Sequence, residues 1–350
     1  MFFRSEKYLR DGLINLFFQI VGNDLLKLPT KLREKVVLLP GIIRASRADS
    51  TIRKYCGSFL RFQNWAKTQG IKESELFPAS VLHVSIYLAC LTQQSNSPSP
   101  IIDAFYGIKW AHDVAGCPSP TDNQLVRNIL EGSKRILSKP VSKKEPITVD
   151  ILQKMYMKLF DRNNLYNQRT ICMCLLSFAG FLRSKELINI KRSDVSFFSD
   201  YVEIFIESSK TDVYRDGTRV VKARVSSDLC PVNNFEIYLS LAGIQDNSQD
   251  YVFCAVTRTE NGFKLRNYSK PLSYTRVREI FIEAFTGIVA NIKDYGLHSL
   301  RSGGATASVP CGISDRLFKR HGRWRSDLAK DGYVKDPLTE RLNVSKNLGL

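Results

Sequence analysis

Three stretches of this sequence carry polar side chains at spacings that chemistry can use. In Ala179-Gly-Phe-Leu-Arg183-Ser-Lys-Glu186-Leu187 an arginine and a glutamate follow a strongly apolar segment. At i and i+3 they share a helix face, so Glu186 can hold the guanidinium; the plain alternative is a surface ion pair. Ser208-Ser209-Lys210-Thr211 puts a lysine at the end of a predicted strand, a place where most lysines are simply solvated. In Leu297-His298-Ser-Leu-Arg301-Ser-Gly303-Gly304-Ala305, His298 and Arg301 lie one helical turn apart. The two glycines would weaken that helix unless something packs close against it. Lys319-Arg-His321-Gly-Arg-Trp324 follows, and then Gly332-Tyr333-Val334. Guanidiniums grip oxyanions as planar forks, and lysine and histidine move protons. A tyrosine is a nucleophile only when something removes its proton, and a residue placed like Tyr333 is by itself more often an interface aromatic. None of the three stretches decides alone.

The elements that must position these groups follow from length and pattern. At 350 residues there is room for two domains, possibly three, and for sizeable cores without staples. Hydrophobic residues at 43% and charged residues at 24% exclude a disordered or fibrous chain. The charge balance is unusual: 51 Lys+Arg against 34 Asp+Glu give +17, which predicts a polyanionic partner, nucleic acid first and an anionic membrane surface second. Eight cysteines show no C-x-x-C spacing, and Cys172 and Cys174 lie in an apolar run, so buried thiols are expected and no zinc site. The apolar run from Leu13 to Val21 is interrupted by Asn15 and Gln19, unlike a secretory signal. No stretch approaches 18 unbroken apolar residues. The expectation is a reduced, soluble protein inside the cell, neither secreted nor at a membrane.

Residues 1–44 read as an appended helical arm. Ile52, Tyr55, Phe59, Phe62 and Ala66 recur at steps of three and four, predicting a helix that stops at Gly70, with Arg53, Lys54, Arg61 and Lys67 on its other face. Pro78 suggests the first turn of a second helix running to about Leu91, and further helices are expected over 101–115 and 122–137. Together they make a bundle over 45–137. Residues 138–146 hold two prolines and three lysines, Lys143 and Lys144 among them, and read as a basic linker. Beyond Thr148 the texture becomes mixed. Helices are expected over 149–160, 168–178, 231–242 and 273–290, with a hairpin of strands at 201–207 and 218–225 and a short strand near 251–254. The last quarter reads as helical.

Jointly, these residues resemble the tyrosine recombinases, the phage-integrase family. The family's arginine, hairpin lysine, H-x-x-R pair, His or Trp, and tyrosine nucleophile match Arg183, Lys210, His298, Arg301, Trp324 and Tyr333, in that order. Trp324 and Tyr333 are nine residues apart, the spacing the family uses. The resemblance covers about 46–340. It implies an all-α, SAM-like core-binding bundle followed by an α+β catalytic domain (147–340) of the DNA breaking-rejoining type, mostly helical with a small antiparallel sheet. A tail over 341–350 completes the chain. The stretch Phe-Lys-Arg-His-Gly-Arg-Trp … Ala-Lys-Asp-Gly-Tyr resembles recombinases of eukaryotic mobile elements, DIRS-type retroelements and Cryptons, more than bacterial Xer proteins. That placement implies a nucleus; a bacterial host would imply the cytoplasm.

The resemblance implies a chemistry. Arg183 and Arg301 would neutralise the phosphodiester, Trp324 would add an indole N–H, and Tyr333 would attack phosphorus to leave a 3′-phosphotyrosyl link. Lys210 would protonate the leaving 5′ oxygen and His298 would accept the tyrosine proton. No metal, ATP or other cofactor is implied. The implied partners are double-stranded DNA and further copies of the chain, as a homodimer or homotetramer on paired sites, with Arg53, Lys54, Arg61, Lys67, Lys143 and Lys144 as candidate DNA contacts. Glu186 supports Arg183, and His321 is a second candidate for the Trp324 role. One departure stands out: where the family often has glycine two residues before the first arginine, this chain has Phe181, with Gly180 one earlier. Alternatives are a type IB topoisomerase-like activity and a domesticated DNA-binding protein without catalysis.

Overall fold

The computed structural model describes residues 25, 27–140, 142–209, 212, 216–260 and 262–348. The chain divides into two compact units, Met1–Val141 and Ser142–Leu350. The first is all helical: α1 (Thr30–Arg33), α2 (Leu39–Ala45), α3 (Asp49–Thr68), α4 (Val81–Gln94), α5 (Ser99–Ala115) and α6 (Gln124–Leu137). α3 lays the apolar stripe read from the sequence against α5, and Ile52, Phe59, Phe62 and Ala66 are buried there with Leu88, Ile101 and Ile108. The contact is close enough that a Cβ on Gly107 would come within 2.8 Å of Ser58 Cβ. Arg53, Lys54, Arg61 and Lys67 stay on the exposed face. The Pro78 reading is corrected: α4 starts three residues later, where the Ser80 hydroxyl accepts the Leu82 N–H. A serine side chain satisfies a free helix N–H, which proline cannot do.

The second unit is mostly helical with two small sheets. Its helices are α7 (Val149–Leu159), α8 (Leu165–Ala179), α9 (Ser184–Ile188), α10 (Pro231–Ala242), α11 (Tyr274–Phe285), α12 (His298–Ser308), α13 (Asp315–Gly322), α14 (Asp327–Asp331) and α15 (Leu338–Lys346). Strands β1 (Val195–Phe197), β2 (Tyr201–Ile206) and β3 (Thr218–Ala223) form an antiparallel sheet in that order, with Val202 opposite Lys222 and Ile206 opposite Thr218. The strand expected near 251–254 is instead an isolated bridge between Lys191 and Tyr251, and the hairpin lies just beyond it as β4 (Ala255–Thr259) and β5 (Gly262–Arg266). No side chain on β4 is fully buried, so its sequence shows no clean alternation. The helix expected over 273–290 ends at Phe285, where Thr286 turns the chain.

α8 is the central post, buried along nearly its whole length and packed by α7, α10, α11 and α12. Cys172 and Cys174 on it are buried, and burial pushes the Cys174 thiol up to about 12. The glycine pair of α12 explains itself here. A Cβ on Gly303 would overlap the Ile147 carbonyl, and one on Gly304 the Phe178 carbonyl, so both glycines let α12 lie directly on backbone. The linker reading is narrowed. Residues 138–140 and 142–148 have no regular structure, but Glu145 N–H donates to Asp294 O (2.8 Å), Ile147 N–H to Ser299 O (2.9 Å), and Lys144 Nζ to Lys293 O. Its last residues therefore belong to the second unit.

Candidate active site

The chain leaves α8 through a left-handed turn. Phe181 sits at φ 46°, a conformation that favours glycine, at the position where the glycine of the family pattern is missing. Packing offsets the strain. The Phe181 ring is buried against Phe318 (5.8 Å between centroids), His321 (4.6 Å) and Trp324 (5.8 Å). Its carbonyl is the anchor of the site, accepting from both Arg301 Nη1 and Arg323 Nη2.

Arg183 follows as the N-cap of α9, in extended backbone and not on the helix face expected for it. Glu186, in the first turn, folds back. Its Oε2 accepts the Arg183 N–H (2.9 Å) and Arg323 Nη2 (2.9 Å), while Oε1 accepts Arg183 Nη1 (2.6 Å). Glu186 is 4% exposed, so this is a buried charge cluster and not a surface pair. Burial pushes its carboxyl pKa up, but Arg323, Arg183 and the backbone N–H outweigh that and hold it below the ordinary value.

α12 presents His298 and Arg301 one turn apart. Arg301 is fully buried, with Nη1 on Phe181 O and Nη2 on Gly322 O. Its guanidinium lies 4.8 Å from the Trp324 ring and 4.7 Å from the Tyr333 ring. Burial first, then the charges of Arg183 and Arg323, lower its proton affinity, yet a guanidinium stays charged at neutral pH. Arg301 is thus not an open fork: two carbonyls already hold it, leaving its Nε–H without a partner among the described residues. The Trp324 Nε1–H is likewise buried and unpartnered.

Tyr333 is half-buried, with its ring 5.7 Å from Trp324 and 6.1 Å from His298. It follows α14, which is tied to α13 by Lys319 and Lys330 bridging Asp315 and Asp327 at 2.6–3.2 Å. Beyond it, Lys335 N–H donates to Thr306 Oγ1 on α12. The structure thus gathers Arg183, His298, Arg301, Trp324 and Tyr333. His321 points elsewhere: its Nε2–H donates to Ala179 O (2.8 Å), and burial lowers its proton affinity. Lys210 lies outside the described residues.

Of the candidate DNA contacts, Arg53, Lys67 and Lys143 are exposed, Lys54 pairs with Asp103 (2.6 Å) and Arg61 reaches Ser58 Oγ (2.8 Å). Among the described residues no cluster of three His, Cys, Asp or Glu could hold a metal, and no helix is long and apolar enough to cross a membrane. Sequence reasoning missed three residues. Arg323, at φ 55°, holds Gly180 O, Phe181 O and Glu186, and nothing in Gly-Arg-Trp announces it. Phe181 was seen only as a departure. Lys222 is buried on β3, and its place on the strand's apolar face, two residues after Val220, was the available signal.

No family model matches the chain. In sequence it is 25% identical over 319 residues to an integrase/recombinase xerD homolog of Selenomonas ruminantium, covering 91% of this chain and 88% of that one. It is 22% identical over 288 residues to recombinase cre of Escherichia phage P1, covering 78% and 81%. In fold it is similar to XerH site-specific recombinase bound to palindromic difH substrate (TM-score 0.58, 15% identity, 98% and 94% covered). It is also similar to the Tn1549 transposon integrase in complex with circular intermediate DNA (TM-score 0.51, 12% identity, 96% and 99% covered).

Proposed function

We propose that this chain, which has the fold of the tyrosine recombinase/integrase family and recombinases among its sequence relatives, is a site-specific DNA strand transferase. One observation carries the reading: the buried donors Trp324 Nε1–H and Arg301 Nε–H, without partners among the described residues, belong to side chains packed around the Tyr333 ring. Buried donors without partners cost stability, so an oxyanion that accepts from them is their natural complement. A phosphodiester held there by Arg183, Arg301 and Trp324 would have its charge neutralised as the pentacoordinate transition state forms.

The chemistry then balances without an outside energy source. The Tyr333 oxygen attacks phosphorus as its proton passes to a base, the role the family resemblance gives to His298. The P–O5′ bond breaks, and the 5′ oxygen takes a proton, the role the resemblance gives to Lys210. One phosphodiester has been exchanged for another, so attack by a 5′-hydroxyl reverses the step, and ATP has no part in it. The guanidiniums and the indole supply the positive charge and donors that a metal ion would otherwise bring. Integration or excision of a mobile element on paired DNA sites, by a dimer or tetramer, is the biological role proposed. A eukaryotic element, and hence a nucleus, rests on the Phe318-to-Tyr333 likeness alone; in a bacterial host the protein would work in the cytoplasm.

The test is covalent capture. A nicked duplex library is incubated with protein while metals are chelated, the mixture is denatured, and the adduct is mapped by peptide mass. The wild type should yield a DNA–peptide adduct at Tyr333, and Tyr333→Phe should bind DNA but yield none. An adduct that persists in Tyr333→Phe, or maps to another residue, would overturn the mechanism. Relaxation of plasmid with no preferred sequence would instead favour a topoisomerase.

A further inference from the structure

Behind Glu186 and Arg323 lies a titratable group that the proposed chemistry does not use. Lys222 stands on β3 at a core-facing position, with Val220 two residues earlier and Val202 opposite. It is 3% exposed, and its Nζ has no hydrogen-bond partner among the described residues. The side chain fills a notch at the end of α8: a Cβ on Gly180 would stand 2.5 Å from Lys222 Cε and 2.9 Å from Nζ. Gly180 O in turn accepts from Arg323. An unpaired ammonium in such a place is costly, and the core face of a strand has no structural need for one.

The titratable and charged groups that face Lys222 come from three directions. Cys172 lies on α8, Glu186 on α9, and His321 and Arg323 at the end of α13. Burial, followed by the positive charge of Arg323, pulls the lysine down to about 7, while Cys172 and Glu186 act the other way. Burial pushes the neighbouring His321 below its ordinary value and Cys172 well above its own. Arg183, Arg301 and Arg323 surround one carboxylate, Glu186, so the empty site already carries excess positive charge. A further positive charge is disfavoured until an anion arrives.

We infer that Lys222 is a positioning residue held in reserve: when a phosphodiester enters beside Arg183 and Arg301, Lys222 takes a proton from solvent and becomes the charge that balances Glu186 and the phosphate from behind Arg323. The bond made is N–H on Lys222, the proton comes from the buffer, and no other group is oxidised or reduced. DNA binding and proton uptake are then linked, each favouring the other by the same factor. This rests on the reading that the site receives a DNA phosphate.

The experiment titrates full-length protein with a short duplex of arbitrary sequence at constant salt. Calorimetry in buffers of different ionisation enthalpy counts the protons taken up. Above neutrality the wild type should absorb approaching one proton per bound protomer, and affinity should fall by up to about tenfold per pH unit. Lys222→Met, which keeps the length of the stem, should absorb none and bind with a flat profile in that window. Equal uptake in both proteins, or none in the wild type, overturns the inference while leaving the recombinase reading intact. Failure of the duplex to bind at all overturns both. Should Lys222→Met not fold, wild-type protein labelled at lysine 13Cε decides the matter. One resonance should titrate near neutrality and move to higher pH when duplex is added; a spectrum with no such lysine rejects the assignment.

Discussion

At the scale of single residues the site is a contest between strain and packing. A non-glycine residue at positive φ costs on the order of 1 kcal/mol or more, and Phe181 bears that cost because its ring supports Trp324 and His321. Phe181→Gly would relax the turn but remove the ring, leaving a cavity whose cost in a core is typically about 3–5 kcal/mol for loss of a phenyl group. The cavity outweighs the relief. That variant should melt lower and form the covalent adduct slowly, while Phe181→Tyr retains most of the rate in a single-turnover assay. Trp324→Ala should slow adduct formation more than His321→Ala, because Trp324 touches Tyr333 and Arg301 whereas His321 holds a carbonyl. The reverse ranking would hand the donor role to His321. In the first unit, His112 is buried and neutral, its Nδ1–H donating to Ile108 O and its Nε2 accepting the Ala79 N–H. Burial lowers its pKa, against weaker opposing effects from the Ile108 carbonyl and Asp113. The unfolded chain therefore binds a proton first as pH drops below about 6.5, and stability falls through that window until the folded protein also protonates. Urea melts of the first unit's fluorescence between neutral and mildly acidic pH should show this loss, and His112→Gln should flatten it.

At the scale of elements, α12 is set by what it lies on. Replacing glycine by alanine inside a helix normally gains about 1 kcal/mol. At Gly303 and Gly304 the new methyl would meet the Ile147 and Phe178 carbonyls, and backbone cannot rotate away as a side chain can. Overpacking of this kind costs about 1–3 kcal/mol and more when backbone must move. Gly304→Ala should lower the melting temperature of the second unit by several degrees and displace His298 and Arg301 together, with a matching loss of adduct. The β2–β3 hairpin carries the lysine assigned to acid catalysis by resemblance. Lys210→Ala should stall cleavage of ordinary DNA, and a bridging 5′-sulfur, which leaves without a proton, should restore it. Absence of rescue would give the proton to another group.

At the scale of the molecule the basic surplus and the two units matter most. A duplex that contacts about ten phosphates implies a log–log slope of affinity against salt near −9, so binding should collapse between low and physiological salt. A flat response would remove nucleic acid as the main partner. If 138–146 links two units that close around DNA, a protease footprint follows. Cuts should fall within 138–143, since residues from Lys144 onward are fastened to the second unit, and duplex should suppress them. Equal digestion with and without DNA would count against closure.

Much of this protein was legible without coordinates. The helical stripe of α3 and the alternation of β2 are local patterns, because periodicity depends only on neighbours along the chain, while the order of Arg183, His298, Arg301, Trp324 and Tyr333 was legible through the family resemblance. The glycine pair announced a close approach, but not that the surfaces approached were carbonyls of Ile147 and Phe178. What only the tertiary structure decided is how distant charges share one carboxylate. Glu186 meets Arg323 across 137 positions of chain, Arg301 meets the Phe181 carbonyl across 120, and Lys222 is brought in from a strand to stand behind them. Burial and charge proximity act through space, so no window of sequence, however carefully read, contains the sum that sets the protonation of Lys222 or leaves the Trp324 N–H waiting for a partner.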